Sequence, residues 1–496
     1  MDFSFQNSLF DNVNPTDNIE DMSFPQMYDT LNQEQKQAIK LLASGTNMFI
    51  TGNAGTGKSY LVKAFAKYCE HEKISLVKTA PTGIASIEIG GATLHHQFKL
   101  KVGLDFSPVT KSQKFLDATD VLLIDEISMV RIDVFERIMR TVQIANKKRP
   151  RKKKPIQIVL IGDFYQLAPV ISKEEKPHLI SQYGADIKDG YCFQSSLWSE
   201  LRIQTYNLTT VIRQEDKMFC AALDACKKGD AECLSFIRNR ASRTPFPDGI
   251  WVCGKNATVT RKNDEELSKL EGNIYWSEAE YEGKVTESDR LCDKIFAFKI
   301  GARVVMISND YEEQFYQNGS LGTITGIEGN LIIVELDSGD VIEVGKKAFP
   351  KYEYEYKTEG KNVTLEQNII GSAMQYPMRL GYAVTVHKSQ GQTYDKMNLM
   401  PEIFSNGQLY VALSRCKSIE NIYIEKYISP RMVMTSEEVK KFYNNPPTYP
   451  DISTTVEEMT VPKDVPSTTT ITIPAKYEAA VSEFIKYLQN RENNPA

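Results

Sequence analysis

The sequence predicts an α/β fold of two parallel-sheet units, the second interrupted by a small inserted β-barrel. Three observations lead there. From residue 31 to about 205, short β-rich runs at 48–50, 74–78, 121–124 and 156–161 alternate with helical stretches, which is the pattern of a doubly wound sheet. A second α/β texture runs from 205 to about 263 and resumes over 375–424. Between those halves, the runs 303–306, 322–324, 331–334 and 341–344 are separated by Gly, Asn and Asp turns, a small-barrel signature.

At 496 residues the chain is too long for one core and is expected to divide into about three or four domains. Residues 1–26 carry Asp2, Asp11, Asp17, Glu20 and Asp21 with no Lys or Arg, so a disordered acidic lead is expected. The first sheet domain is expected over 27–205, the second over 206–299 and 370–430, and the insertion over 300–369. A Pro/Ser/Thr-rich linker follows over 431–474. Tyr477, Val481, Phe484, Ile485 and Leu488 then recur at helical spacing, predicting an amphipathic helix over 475–492 that either folds back or docks a protein partner. Net charge is -5, which excludes a chain coated in nucleic acid and confines any polyanion to a local basic patch. No apolar run reaches the roughly 18 residues of a membrane span and no charged-then-apolar leader is visible. The eight cysteines lack any C-x-x-C pair, so neither a zinc site nor a disulfide framework is indicated. An intracellular protein without membrane partners is expected, cytoplasmic and nucleoid-associated in a prokaryote or virus, with a nuclear location left open.

Chemistry concentrates first at Gly52-Asn53-Ala54-Gly55-Thr56-Gly57-Lys58-Ser59, between a buried strand and a helical stretch. This is a phosphate loop. Its glycines let backbone N–H groups turn toward phosphates, with the helix dipole beneath them. Lys58 is expected at the β and γ phosphates of ATP, and Ser59 on Mg²⁺. Strand 121–124 delivers Asp125 and Glu126 at its C-terminal end, where Asp125 suits Mg²⁺ and Glu126 suits taking a proton from attacking water. Gln166, after the next strand, is a candidate γ-phosphate sensor. Gln35 is a candidate partner for adenine. Arg213 and Arg415, both in the second sheet domain, are candidates to neutralise the transferring phosphoryl group, a contribution of about 10³ to 10⁵ in rate.

The order of these motifs resembles the Pif-type (petite integration frequency) DNA helicases of superfamily 1B, from about residue 31 to 426. The resemblance rests on Leu31-Asn32-Gln33-Glu34-Gln35, the phosphate loop, Thr79-Ala80-Pro81-Thr82-Gly83-Ile84-Ala85, Gly91-Ala92-Thr93-Leu94-His95 and Asp125-Glu126-Ile127-Ser128-Met129. It continues through Gly162-Asp163-Phe164-Tyr165-Gln166, Phe193-Gln194-Ser195-Ser196-Leu197-Trp198, Arg213-Gln214, the 382–393 segment Tyr-Ala-Val-Thr-Val-His-Lys-Ser-Gln-Gly-Gln-Thr, and the Arg415 motif. It implies two RecA-like motor domains, a short wedge near 96–112, an SH3-like barrel inserted in the second motor, and ATP-driven 5'-to-3' movement that unwinds DNA. The alternative is a translocase that strips bound proteins from single strands without opening duplex. One departure stands out: the family's Pro-Phe-Gly-Gly turn is replaced by Lys147-Lys148-Arg149-Pro150-Arg151-Lys152-Lys153-Lys154-Pro155.

The partners so implied are single-stranded DNA and 5'-tailed duplex DNA. A motor on one strand needs contacts that ignore sequence. Thr82, Thr93, His95, Thr385, His387 and Lys388 lie in stretches that resemble the family's DNA-contact motifs. The basic run 147–154 is read as a grip on duplex phosphate, a nuclear address, or a solvated loop.

Overall fold

The computed structural model describes residues 22–449 apart from 102, 185–186, 188, 215, 287–288, 290, 309, 311–315, 317–318, 360–361 and 448. Six strands form the first sheet: β1 (Met48–Gly52), β2 (Leu76–Ala80), β3 (Ala92–Thr93), β4 (Val121–Ile124), β5 (Gln157–Ile161) and β6 (Gln204–Leu208). Their order is β3-β2-β4-β5-β1-β6, and every pairing is parallel. Every residue of β1, β4 and β5 is buried, as a sheet covered by helices on both faces requires. Because all strands point one way, the residues after β1, β4 and β5 emerge along one edge. That edge carries the phosphate loop, Asp125-Glu126 and Gln166.

The second sheet begins with β7 (Ile250–Cys253) and then breaks off. The insertion supplies β8 (Tyr275–Glu278), β9 (Glu280–Gly283), β10 (Ile295–Phe298), β11 (Arg303–Met306), β12 (Leu321–Glu328), β13 (Leu331–Leu336), β14 (Val341–Val344), β15 (Lys347–Glu359), β16 (Asn362–Gln375) and β17 (Met378–Leu380). The chain then returns with β18 (Ala383–Thr385), β19 (Met397–Met400) and β20 (Ile422–Ile424), giving a parallel sheet in the order β18-β7-β19-β20. Within the insertion, β14-β13-β12-β11-β17 form one antiparallel sheet around Val304, Met306, Ile324, Ile332, Val334 and Ile342. The four runs expected from sequence are β11 to β14.

Four expectations about boundaries need correction, the first being that β6 carries the first sheet to Leu208, past the expected end at 205, because its residues Tyr206 to Leu208 pair with Ile50 to Gly52 of β1. The inserted strands extend from Tyr275 to Leu380, beyond the expected 300–369, because β8 to β10, part of β16 and β17 lie outside that range. The hairpin β15–β16 pairs over its whole length; its sequence signal is the strict alternation of Tyr352, Tyr354 and Tyr356 with Glu353, Glu355 and Lys357. At the N-terminus, Met22 and Phe24 are buried and a helix runs Phe24–Thr30, so order begins inside the expected lead. Residues 1–21 lie outside those described.

The expected linker over 431–474 is likewise interrupted by the helix Glu437–Asn444. Val439 and Phe442 on that helix are buried, and the Phe442 ring packs 4.5 Å from Phe193, 5.5 Å from Phe164 and 5.6 Å from Trp198. Tyr443 stacks on Tyr165 at 4.7 Å, pairs its hydroxyl with Thr51 Oγ1 at 2.8 Å, and accepts from the Phe164 N–H at 3.1 Å. The chain thus returns to the first sheet domain after completing the second. The expected helix over 475–492 and the linker from 450 lie outside the described residues. Phe442→Ala removes the ring that fills this aromatic cluster and is expected to cost about 3 kcal/mol or more, read as a lowered urea midpoint of the purified protein; an unchanged midpoint contradicts this packing.

Candidate active site

The phosphate loop leaves β1 and enters the helix Lys58–His71 at Gly57. Gly55 and Gly57 have φ of 82° and 79°, a left-handed conformation that side chains disfavour. Space excludes a side chain as well. A Cβ on Gly55 would sit 2.5 Å from Arg213 Cβ, and one on Gly57 would sit 2.6 Å from Gln35 Nε2. The helix has no side-chain cap at its N-terminus, so its first-turn amides have no intrahelical acceptor and suit an external anion. Asn53, Ala54 and Thr56 complete the loop, and Thr56 Oγ1 donates to Asn53 O at 2.9 Å. Ser59 is exposed on the first helical turn.

Lys58 Nζ donates to the carbonyls of Gly52 (2.7 Å) and Asn53 (3.0 Å) within its own loop. Burial pushes its pKa down, while the carboxylates of Asp163, Glu126 and Asp125 act in the opposite sense. Gln35 is 2% exposed beside the loop. Its Nε2 donates to Gly57 O at 3.4 Å and its Oε1 accepts from Asn32 N at 3.1 Å, the reciprocal half of a capping box. Both ends of that amide are therefore engaged with protein backbone.

Asp125 and Glu126 follow β4 directly, and Glu126 has φ of 48°, a strained value for a side chain other than glycine and one often found at functional sites. Burial, reinforced by the neighbouring Glu126 charge, pushes the Asp125 pKa up to about 8. Burial raises Glu126 too, against the opposing pull of Lys58. Gln390 Nε2 donates to Glu126 Oε2 at 2.8 Å and to Gln166 Oε1 at 3.3 Å, so one amide from the second sheet domain bridges the two acid-side residues. Among the described residues no cluster of three or more His, Cys, Asp or Glu is arranged to hold a metal ion. One carboxylate and one hydroxyl suit Mg²⁺, which keeps waters and binds through substrate phosphates rather than in an all-protein cage.

The connection that leaves β6 for the second sheet reaches the loop through its backbone. The N–H groups of Ile212 and Arg213 donate to Gly55 O at 2.8 and 3.2 Å, and Arg213 Nη1 donates to Ser414 O at 3.2 Å. Burial pushes the Arg213 pKa down. Arg415 is 2% exposed. Its guanidinium donates to Val411 O (2.8 Å), Ser389 O (3.3 Å), Gln392 O (3.2 Å) and Ser414 Oγ (2.8 Å). Burial, then the nearby Arg213 charge, push it down to about 9. The Arg213 charge also acts on Lys58, and the Arg415 charge on Glu126, so both arginines share the cleft with the loop lysine and the carboxylates.

Sequence reasoning did not single out Gln390, Tyr410 or Glu88. Tyr410 is buried on the helix Gln408–Leu413 and its hydroxyl accepts from the Ala54 N–H of the phosphate loop at 2.8 Å. Glu88 ends the helix Gly83–Glu88, its pKa is raised by burial, and it faces the charges of Lys63, Arg213 and Arg415. Tyr410 lies inside the Arg415 motif and Gln390 inside the 382–393 motif, but neither motif says which of its side chains crosses to the first domain; Glu88 lies beside the paired acids within the first domain with no local motif to mark it.

Thr82 and Thr93 each accept a backbone N–H at a helix start, from Ala85 (3.3 Å) and His96 (3.4 Å), and Thr385, at the end of β18, accepts from Lys388 (3.2 Å) in the turn that follows. A capping hydroxyl still has its own proton to donate. Burial pushes the pKa of His95 and of His387 down, so both imidazoles are neutral near pH 7. Lys388 is exposed, with Nζ 3.9 Å from Asp293.

Residues 30–232 match the PIF1-like helicase family. Over 412 residues the chain is 31% identical to the ATP-dependent DNA helicase Pif1 of Campylobacter jejuni, covering 76% of this chain and 88% of that protein. The crystal structure of Bacteroides sp Pif1 in complex with ADP-AlF4 superposes with a TM-score of 0.73 at 31% identity, covering 84% of this chain and 96% of that one. Pif1 helicase from Bacteroides in complex with ADP-AlF3 and ssDNA superposes with a TM-score of 0.59 at 30% identity, over 84% and 96% of the two chains. The phosphate loop, the paired acids and the two cleft arginines therefore sit in a chain that belongs to the PIF1-like helicase family.

Proposed function

We propose that this protein is an ATP-dependent DNA helicase that moves 5'-to-3' on single-stranded DNA and unwinds duplex from a 5' tail. One observation carries the motor reading: Tyr410 of the second sheet domain accepts from the Ala54 N–H of the phosphate loop, and Gln390 of the same domain donates to Glu126, so the candidate nucleotide site is made by both sheet domains. A ligand that bridges two domains can change their spacing when it is hydrolysed. The polarity comes from the family resemblance, as do the SH3-like closure of the inserted sheet and the wedge near 96–112.

In this reading Lys58 exchanges its two carbonyl partners for the β and γ phosphates of ATP. Ser59 and Asp125 would hold Mg²⁺, which neutralises charge on the phosphoryl oxygens. Glu126, its pKa raised, takes the proton of the attacking water. Gln166 and Gln390 sense the γ phosphate as a pair, because any movement of one is transmitted through the amide bridge to Glu126. Arg213 and Arg415 place positive charge on the transferring group; Arg415 must give up some of its present carbonyl bonds to do so. Gln35 contacts adenine once its amide is released from Gly57 and Asn32. Thr82, Thr93 and His95 on one side, and Thr385, His387 and Lys388 on the other, contact the DNA strand. The threonines donate hydroxyl protons and the neutral imidazoles donate N–H groups, while Lys388 alone brings charge.

Strand displacement with 5'-tailed and 3'-tailed duplexes tests the proposal: unwinding is expected from the 5' tail only and is lost in Lys58→Ala, whereas unwinding from the 3' tail alone contradicts the polarity. Glu126→Gln is expected to retain ATP binding while kcat falls by about 10² or more. Gln390→Ala is expected to lower kcat with little change in KM; normal kcat in both variants shows that a different group activates the water.

A further inference from the structure

Seven of the eight residues over 147–154 are cations in a chain of net charge -5. The structure divides them into two groups. Arg149, with its side chain 3% exposed, donates to Leu116 O (3.0 Å), Thr119 O (2.8 Å) and Asp120 Oδ1 (3.2 Å). Lys153 bonds Asp117 O at 3.3 Å and Asp120 Oδ1 at 3.2 Å. These two are anchors. The turn is closed by Lys153 N–H to Pro150 O at 2.9 Å, and Ile156 N–H to Asn146 Oδ1 at 2.9 Å ties its far side to the helix Ile132–Lys148. Lys147, Lys148, Arg151, Lys152 and Lys154 are exposed, and none forms an ion pair among the described residues. Asp120, which adjoins the turn, is engaged by both anchors.

Position gives this patch a meaning. It precedes β5 and adjoins Asp120, which precedes β4, so it lies at the N-terminal edge of the first sheet, opposite the nucleotide edge. Its anchors hold the 3₁₀ turn Lys114–Asp117, which follows the expected wedge segment near 96–112. The base of that segment is itself closed, with Phe98 and Phe115 packed edge to face at 5.4 Å and Gln113 Nε2 donating to Phe98 O at 3.2 Å.

We propose that the 147–154 turn is a docking surface for the phosphate backbone of the duplex arm ahead of the wedge, an inference that rests on the helicase reading above. Rigid anchoring favours this over an import address, which is read as extended peptide and would require Arg149 and Lys153 to leave their partners. Cations carried on an ordered turn need no backbone ordering to meet phosphates, and they neutralise them without regard to sequence.

The experiment uses the full chain with Lys147→Ala, Lys148→Ala, Arg151→Ala, Lys152→Ala and Lys154→Ala combined, leaving both anchors intact. Single-strand-stimulated ATP hydrolysis and affinity for an isolated 5' tail are expected to match the parent. Affinity for a 5'-tailed fork is expected to fall at least about tenfold, and the slope of log K against log salt between about 50 and 200 mM to become shallower by about 3 to 4. Lysine-to-arginine replacements at the same positions restore both. Equal loss on tail and fork, or unchanged fork affinity, overturns the proposal. A parent protein without DNA-stimulated hydrolysis overturns the helicase reading instead, so the two failures are distinguishable.

Discussion

Everything in the site depends on one short contact, the carbonyl of Gly55 receiving the amides of Ile212 and Arg213. That contact requires glycine, because a Cβ at Gly55 would collide with Arg213 Cβ at 2.5 Å. It places the chain that leaves β6 for the second sheet directly on the phosphate loop, and Tyr410 of the second sheet domain bonds that loop at Ala54. Glu34 reinforces the junction: burial alone would raise its carboxyl, but bonds from the Thr209 and Thr210 amides and the Thr209 hydroxyl hold it below the ordinary value. Gly407, at φ 73°, brings the second domain against the backbone of Tyr165 and Gln166 from the other side.

The electrostatics of the cleft follow from this closeness. Lys58, Arg213 and Arg415 are all lowered by burial, while Asp125, Glu126 and Glu88 are all raised by it. Each set favours the arrival of compensating charge, and a magnesium-bound triphosphate supplies both signs at once. Within the cleft Lys58 bonds its own loop carbonyls, Arg415 bonds main-chain oxygens and Tyr410 bonds the Ala54 amide.

Much of the site was legible because its parts are local. The phosphate loop needs consecutive residues, and Asp125-Glu126 needs only a buried strand that ends there. The inserted strands β11 to β14 announced themselves through turn residues. What stayed hidden was tertiary. Tyr410 reaches the phosphate loop only when two domains pack, Glu88 comes beside the paired acids only through the fold of the first domain, and the helix Glu437–Asn444 was masked by the Pro446-Pro447 pair and the polar stretch beyond it. The long β15–β16 hairpin was readable from its alternation yet lay under the label of a four-strand insertion. Thr82 and Thr93 accept helix-start amides and Thr385 a turn amide, and each hydroxyl keeps a proton of its own to donate.

The central claim is that a side chain of the second domain acts on phosphate bound by the first. Steady-state hydrolysis by Arg213→Ala, with ATP affinity measured in parallel, addresses it most directly. The account predicts retained binding and a fall in kcat of about 10³ or more; a kcat within twofold of the parent would contradict it.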